Sequence, residues 1–151
     1  MVLPGTAATV RLAHVLSSCW SALQGEENPL SLSPVSKAAV LLVDGMGAHN
    51  LEDRRGHARW LTEKWRQRSI VGDSGFPSTT ASALASLTTG QVPGEHGIVG
   101  YTIRDPSSGV LINHLKDWEP HVNPAHWQRS DTIFEKALAA GIPSLSMCER
   151  R

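Results

Sequence analysis

Cysteine is scarce in this chain of 151 residues: Cys19 and Cys148 are the only two, and they stand at opposite ends. Two such residues make no disulfide framework, which points to a reducing cytoplasm as the simpler setting. No apolar run is long enough to span a bilayer. The N-terminus lacks the basic start and apolar core of a signal peptide. Excess charge of either sign is missing too. Fourteen Lys plus Arg balance fourteen Asp plus Glu, so there is no electrostatic footprint for nucleic acid or an anionic membrane. Internal repeats and low-complexity segments are absent. What remains, 40% hydrophobic and 19% charged residues, is the composition of a soluble globular protein, and the length predicts one domain.

Two polar anchors in apolar settings organise the rest. Ala38 to Val43 is an unbroken apolar run that ends in Asp44-Gly45-Met46-Gly47. Such a run reads as a strand buried on both faces of a parallel sheet, and open α/β sheets bind ligands just beyond the carboxyl ends of these strands. Asp44 stands at that place. It can act there, or simply shape the turn. The second anchor is the hydroxyl cluster Ser78-Thr79-Thr80, which opens an Ala-rich stretch closing at Gly90 with Pro93 beyond. That punctuation predicts a helix. Its N-terminus offers unpaired N–H groups to a phosphate or sulfate, and a hydroxyl placed there is an N-cap or a nucleophile.

The flanks read more plainly. Ala7 to Gln24, with Leu12, Leu16, Trp20 and Leu23 on one face, predicts an amphipathic helix stopped by Gly25. Glu26 to Ser36 is a loop. His49 to Arg68 predicts a charged helix whose arginines form a solvated surface. Ser69-Ile70-Val71 predicts a second strand. Ile98 to Arg104 and Val110 to Leu115 predict a hairpin through the turn-rich Asp105-Pro106-Ser107-Ser108-Gly109. Ser130 to Ala140 predicts a helix, with Thr132 and Glu135 in capping-box relation and Gly141 then Pro143 at its end. A further strand begins at Ser144 and runs to Cys148. His96, His114, His121 and His126 lack the helical spacing of a zincin pair, and Pro120 and Pro124 forbid a regular helix there.

Phe76-Pro-Ser-Thr-Thr-Ala-Ser-Ala-Leu-Ala-Ser-Leu-Thr-Thr-Gly90, followed by Pro93-Gly-Glu-His-Gly-Ile98, resembles the nucleophile segment of the type I phosphodiesterase/nucleotide pyrophosphatase family, within the alkaline phosphatase superfamily. The strand ending Val43-Asp44-Gly45 resembles that family's first metal-binding segment. The resemblance implies an α/β fold, a mostly parallel sheet with helices on both faces. It implies Thr80 as the catalytic nucleophile and Asp44, with Thr80, as zinc ligands in a site of two zinc ions. It gives His96 a structural part. The activity implied is hydrolysis of a small phosphate ester or nucleotide through a phosphorylated Thr80. Three residues after the nucleophile the nucleotide pyrophosphatase type carries an Asn that helps hold a phosphate oxygen, and here that position is Ala83. The departure leaves a phosphomonoesterase or phosphotransferase open beside a diesterase. Tyr101, Trp118 and Trp127 could stack on a nucleotide base, though packing is the ordinary role for each.

The resemblance also implies what is missing. The remaining ligands, His and Asp, come from segments well downstream of the nucleophile, and their spacing does not recur after residue 105. Residues 1–151 are therefore expected to be the N-terminal part of a single alkaline-phosphatase-like catalytic domain, inactive or nearly so alone. A non-catalytic anion-binding piece is the alternative.

Overall fold

The computed structural model describes residues 10–116, 123 and 127–148. Among these residues, six helices and one two-stranded sheet make up an α/β arrangement: α1 His14–Gln24, α2 Ala48–Asp53, α3 Arg59–Gln67, α4 Thr80–Thr89, α5 Pro93–His96, strands β1 Thr102–Arg104 and β2 Leu111–Asn113, and α6 Ile133–Ala139.

The core lies where α1, α4 and α6 meet, and small side chains let them approach. Ala13, Ser18 and Ala22 of the α1 segment are buried. So are Ala81, Ser82, Ser86 and Leu87 of α4, and Ile133 and Ala137 of α6. The larger Leu16, Trp20 and Leu23, expected to form the buried face of α1, are only half-buried. Gly90 closes α4 at φ 73° where the three helices meet. A Cβ there would meet Ser17 at 3.4 Å and Ile133 at 3.5 Å, ordinary contact distances, so it is the left-handed backbone that calls for glycine. Thr88 and Thr89 return their hydroxyls to the carbonyls of Leu84 and Ala85, at 2.8 and 2.7 Å, which satisfies them inside the helix.

The predicted punctuation of α1, α4 and α6 holds. Gly25 stops α1 in the left-handed region, and Thr132 with Glu135 makes the capping box of α6. The hairpin forms as an antiparallel pair in the register Thr102–Asn113, Ile103–Ile112, Arg104–Leu111. It is shorter than predicted because only these residues face a partner. His49 to Arg68 is two helices, since the chain turns through Arg54–His57, where His57 N–H reaches Arg54 O at 2.9 Å. The charged surface is as expected: Arg55 and Arg66 meet Glu52 at 2.8 and 3.4 Å in the open.

The mostly parallel sheet does not form among the described residues. Ala38 to Val43, Ser69 to Val71 and Ser144 to Cys148 adopt no strand, and Leu41 is 90% exposed. A buried parallel strand needs a hydrogen-bonded neighbour on each side, and residues 38–43 make no backbone hydrogen bond to any described residue. Among the described residues the one parallel contact is an isolated bridge between Arg11 and Asp73. It is built from Asp73 N–H to Val10 O at 2.8 Å and Leu12 N–H to Asp73 O at 2.9 Å. Among the described residues no helix is long and apolar enough to cross a membrane.

Candidate active site

Thr80 is the first residue of α4, and the cap is its neighbour. Thr79 lies in extended conformation and its Oγ1 accepts the Ser82 N–H at 3.5 Å, while its carbonyl accepts the Ala83 N–H at 2.8 Å. The Thr80 hydroxyl is thus released from capping. Helix geometry leaves the N–H groups of Thr80 and Ala81 without a partner inside the helix, beside a half-buried hydroxyl. The chain arrives there through Gly75, at φ 91°, and a cis Phe76–Pro77 bond.

Asp44 reaches the same point from a distant part of the chain. It occupies the turn after the extended segment, where Gly45 takes φ 71°, and the next turn is closed by Gly47 N–H donating to Asn50 Oδ1 at 3.1 Å. The Thr80 hydroxyl points at Asp44 Oδ2 across 3.4 Å. That is long for an O–H···O bond, which centres near 2.7–2.8 Å. It matches the separation of two oxygens on one tetrahedral zinc, about 3.3–3.6 Å for ligand distances of about 2.0–2.2 Å. The donor chemistry therefore suits the cation that the resemblance implies. The pair makes only part of a coordination shell, since zinc takes three or four protein ligands. Among the described residues no three His, Cys, Asp or Glu side chains gather around a metal position.

Tyr101 joins the pair. Its hydroxyl donates to Thr80 Oγ1 at 2.7 Å, and the residue is 42% exposed rather than packed away. Base stacking was the role suggested by its aromatic ring. The contact with Thr80 is a pairing across 21 positions that leaves no local mark in the sequence.

The histidines stand elsewhere. His96 is buried beneath α4, with Nε2 2.9 Å from Ser86 Oγ and Nδ1 accepting the Ile98 N–H at 3.1 Å. An imidazole nitrogen that accepts an N–H carries no proton, so the neutral ring donates from Nε2 to Ser86. This is a structural histidine, in the part the motif gave it. His114 bonds from Nδ1 to Gly100 O at 2.8 Å and lies against Trp127 with ring centroids 6.0 Å apart. Trp118, His121 and His126 lie outside the described residues.

The family model described as type I phosphodiesterase / nucleotide pyrophosphatase matches residues 38–148, a span that opens at the extended segment before Asp44 and takes in Thr80 and Tyr101. No curated protein and no solved structure gives a match.

Proposed function

The chain belongs to the type I phosphodiesterase/nucleotide pyrophosphatase family, and from that premise we propose that Thr80 is the nucleophile of a phosphodiester or pyrophosphate hydrolase. The family suggests the reaction class and a small phosphate-ester or nucleotide substrate. The assignment to Thr80 is supported by its pairing with Asp44 at 3.4 Å, two residues from the two resembling motifs, 36 positions apart.

The step divides among this chain's own groups. Thr80 Oγ1 attacks phosphorus as the bond to the leaving oxygen breaks, and its proton starts on the line toward Asp44 Oδ2. The unpartnered N–H groups at the head of α4 face the non-bridging oxygens as charge builds on them. Asp44 and Thr80 would hold a zinc ion, which when bound favours the alkoxide over the alcohol. Such a site requires further ligands beyond these two. An alkaline-phosphatase-like fold, which the family implies, belongs to the same reading.

The test is hydrolysis of bis(p-nitrophenyl) phosphate with zinc in the buffer, for the unaltered chain and for Thr80→Ala and Asp44→Asn. The reading expects both substitutions to lower the rate by about a hundredfold or more. A non-catalytic anion-binding segment would instead lose only phosphate affinity. A p-nitrophenyl phosphate arm distinguishes a monoesterase.

A further inference from the structure

Tyr101 stands at the mouth of the hairpin with its backbone fixed from one side. His114 N–H donates to Tyr101 O at 2.8 Å, and His114 Nδ1 donates to Gly100 O at 2.8 Å. One histidine on the far strand's exit therefore secures both carbonyls around Tyr101. The side chain so held carries its hydroxyl to within 2.7 Å of Thr80 Oγ1.

The proton inventory gives this contact a direction. An ionised carboxylate only accepts, so the Thr80 proton is the one shared with Asp44 Oδ2. The Thr80 oxygen is then the acceptor for Tyr101. The order runs Tyr101 O–H to Thr80 Oγ1–H to Asp44. A donor already aimed at an oxygen strengthens as that oxygen gains negative charge, because charge-assisted hydrogen bonds are about twice as strong as neutral ones. It also needs no reorganisation when the charge appears. Asp44 and Tyr101 are the titratable groups that the described residues bring into hydrogen-bond contact with Thr80 Oγ1.

We propose that Tyr101 is a catalytic residue, whose phenol donates to the Thr80 oxygen and holds it in its attacking form. The proposal rests on Thr80 being the nucleophile. In the covalent step Thr80 loses its proton toward Asp44 and then to solvent. The Oγ1–P bond forms, and the P–O bond to one nitrophenyl group breaks. The electron pair leaves with p-nitrophenolate, and Tyr101 keeps its proton throughout.

Tyr101 is the chain's single tyrosine, so biosynthetic incorporation of fluorotyrosine alters this phenol alone. The whole chain is treated with bis(p-nitrophenyl) phosphate in zinc-containing buffer at one fixed pH. Nitrophenolate release gives the rate, and mass spectrometry of the Thr80 peptide finds the adduct. Tyr101→Phe is expected to slow modification by about tenfold or more. Fluorotyrosine, a stronger hydrogen-bond donor of nearly the same shape, is expected to speed it, a response that a merely structural ring would not give. Circular dichroism checks that each protein is folded. An adduct on Thr80 whose rate ignores both changes overturns the role of Tyr101 alone. A wild-type Thr80 that stays unmodified overturns the nucleophile reading itself, and the role of Tyr101 with it.

Discussion

His96 Nε2 lies 2.9 Å from Ser86 Oγ inside the packing between α4 and α5, and its Nδ1 accepts the Ile98 N–H. Accepting the Ile98 N–H needs the neutral ring, and burial pushes the imidazole below its usual value of 6.5. The sign follows from proton counting: below pH 6.5 the unfolded chain binds a proton that the folded chain resists. Stability from this site is fully present above pH 6.5 and is lost as the pH falls through the lowered value. Thermal melts between pH 8 and pH 5 should show a falling midpoint, and His96→Gln should flatten that slope. His96→Ala should cost about 1–3 kcal/mol at pH 8, because it strands the Ser86 hydroxyl and the Ile98 N–H.

The head of α6 carries a second measurable device. Thr132 Oγ1 accepts the Glu135 N–H at 3.2 Å, and Glu135 Oε2 accepts the Thr132 N–H at 2.7 Å. The Thr132 N–H, and after it the Thr132 hydroxyl 2.8 Å from Oε2, hold the Glu135 carboxyl below its ordinary value. Thr132→Ala should destabilise the chain by about 1 kcal/mol in urea unfolding, and should let the Glu135 titration drift upward in NMR.

These local devices were the legible part of the sequence. A cap or a stop is written within four or five neighbouring residues, so Thr132 with Glu135, Gly25 and Gly90 all announce their helices. The break between α2 and α3 at Arg54–His57 was not visible, because the apolar spacing of Leu51, Ala58, Leu61 and Trp65 continues across it. Strands were legible only as apolar runs, since a strand is defined by a partner that the run does not specify. The same contrast holds at the site. Asp44 and Thr80 each sit in a recognisable local pattern, and the fold brings their oxygens together. Tyr101 has no such pattern, and only the turn of the chain into β1 reveals what its hydroxyl meets.

Asp105 offers a test of the hairpin turn. Its Oδ2 accepts the hydroxyls of Ser107 and Ser108 at 2.7 and 2.5 Å, with backbone N–H bonds from the same residues. The serine hydroxyls, Ser107 foremost, hold the carboxyl down from 3.8 to about 2. The group favours the folded turn above pH 3.8 and loses that preference as the pH falls toward 2. NMR titration of the Asp105 carboxyl should give a midpoint near 2. Replacing Ser107 and Ser108 together by Ala should return it toward 3.8. A wild-type midpoint at 3.8 would mean that the turn is not closed in solution.

The extended segment before Asp44 carries the last expectation. Val40, Leu41, Leu42 and Val43 are all exposed, and the backbone beneath them is unpaired among the described residues. Uncharged β-branched and leucine-rich stretches with open hydrogen-bonding edges template strand pairing between chains. Lys37 and Asp44 flank the run as its only charges, too far from its centre to oppose that pairing. Leu41, the most exposed of the four, should contribute most when two copies meet, by about 1.5–3 kcal/mol on full burial. Leu41→Lys removes that gain, and with 1.4 kcal/mol per tenfold it should raise the concentration at which association sets in by about tenfold or more. Light scattering across a dilution series reads the shift, and equal onset for the two proteins would place the association elsewhere on the surface.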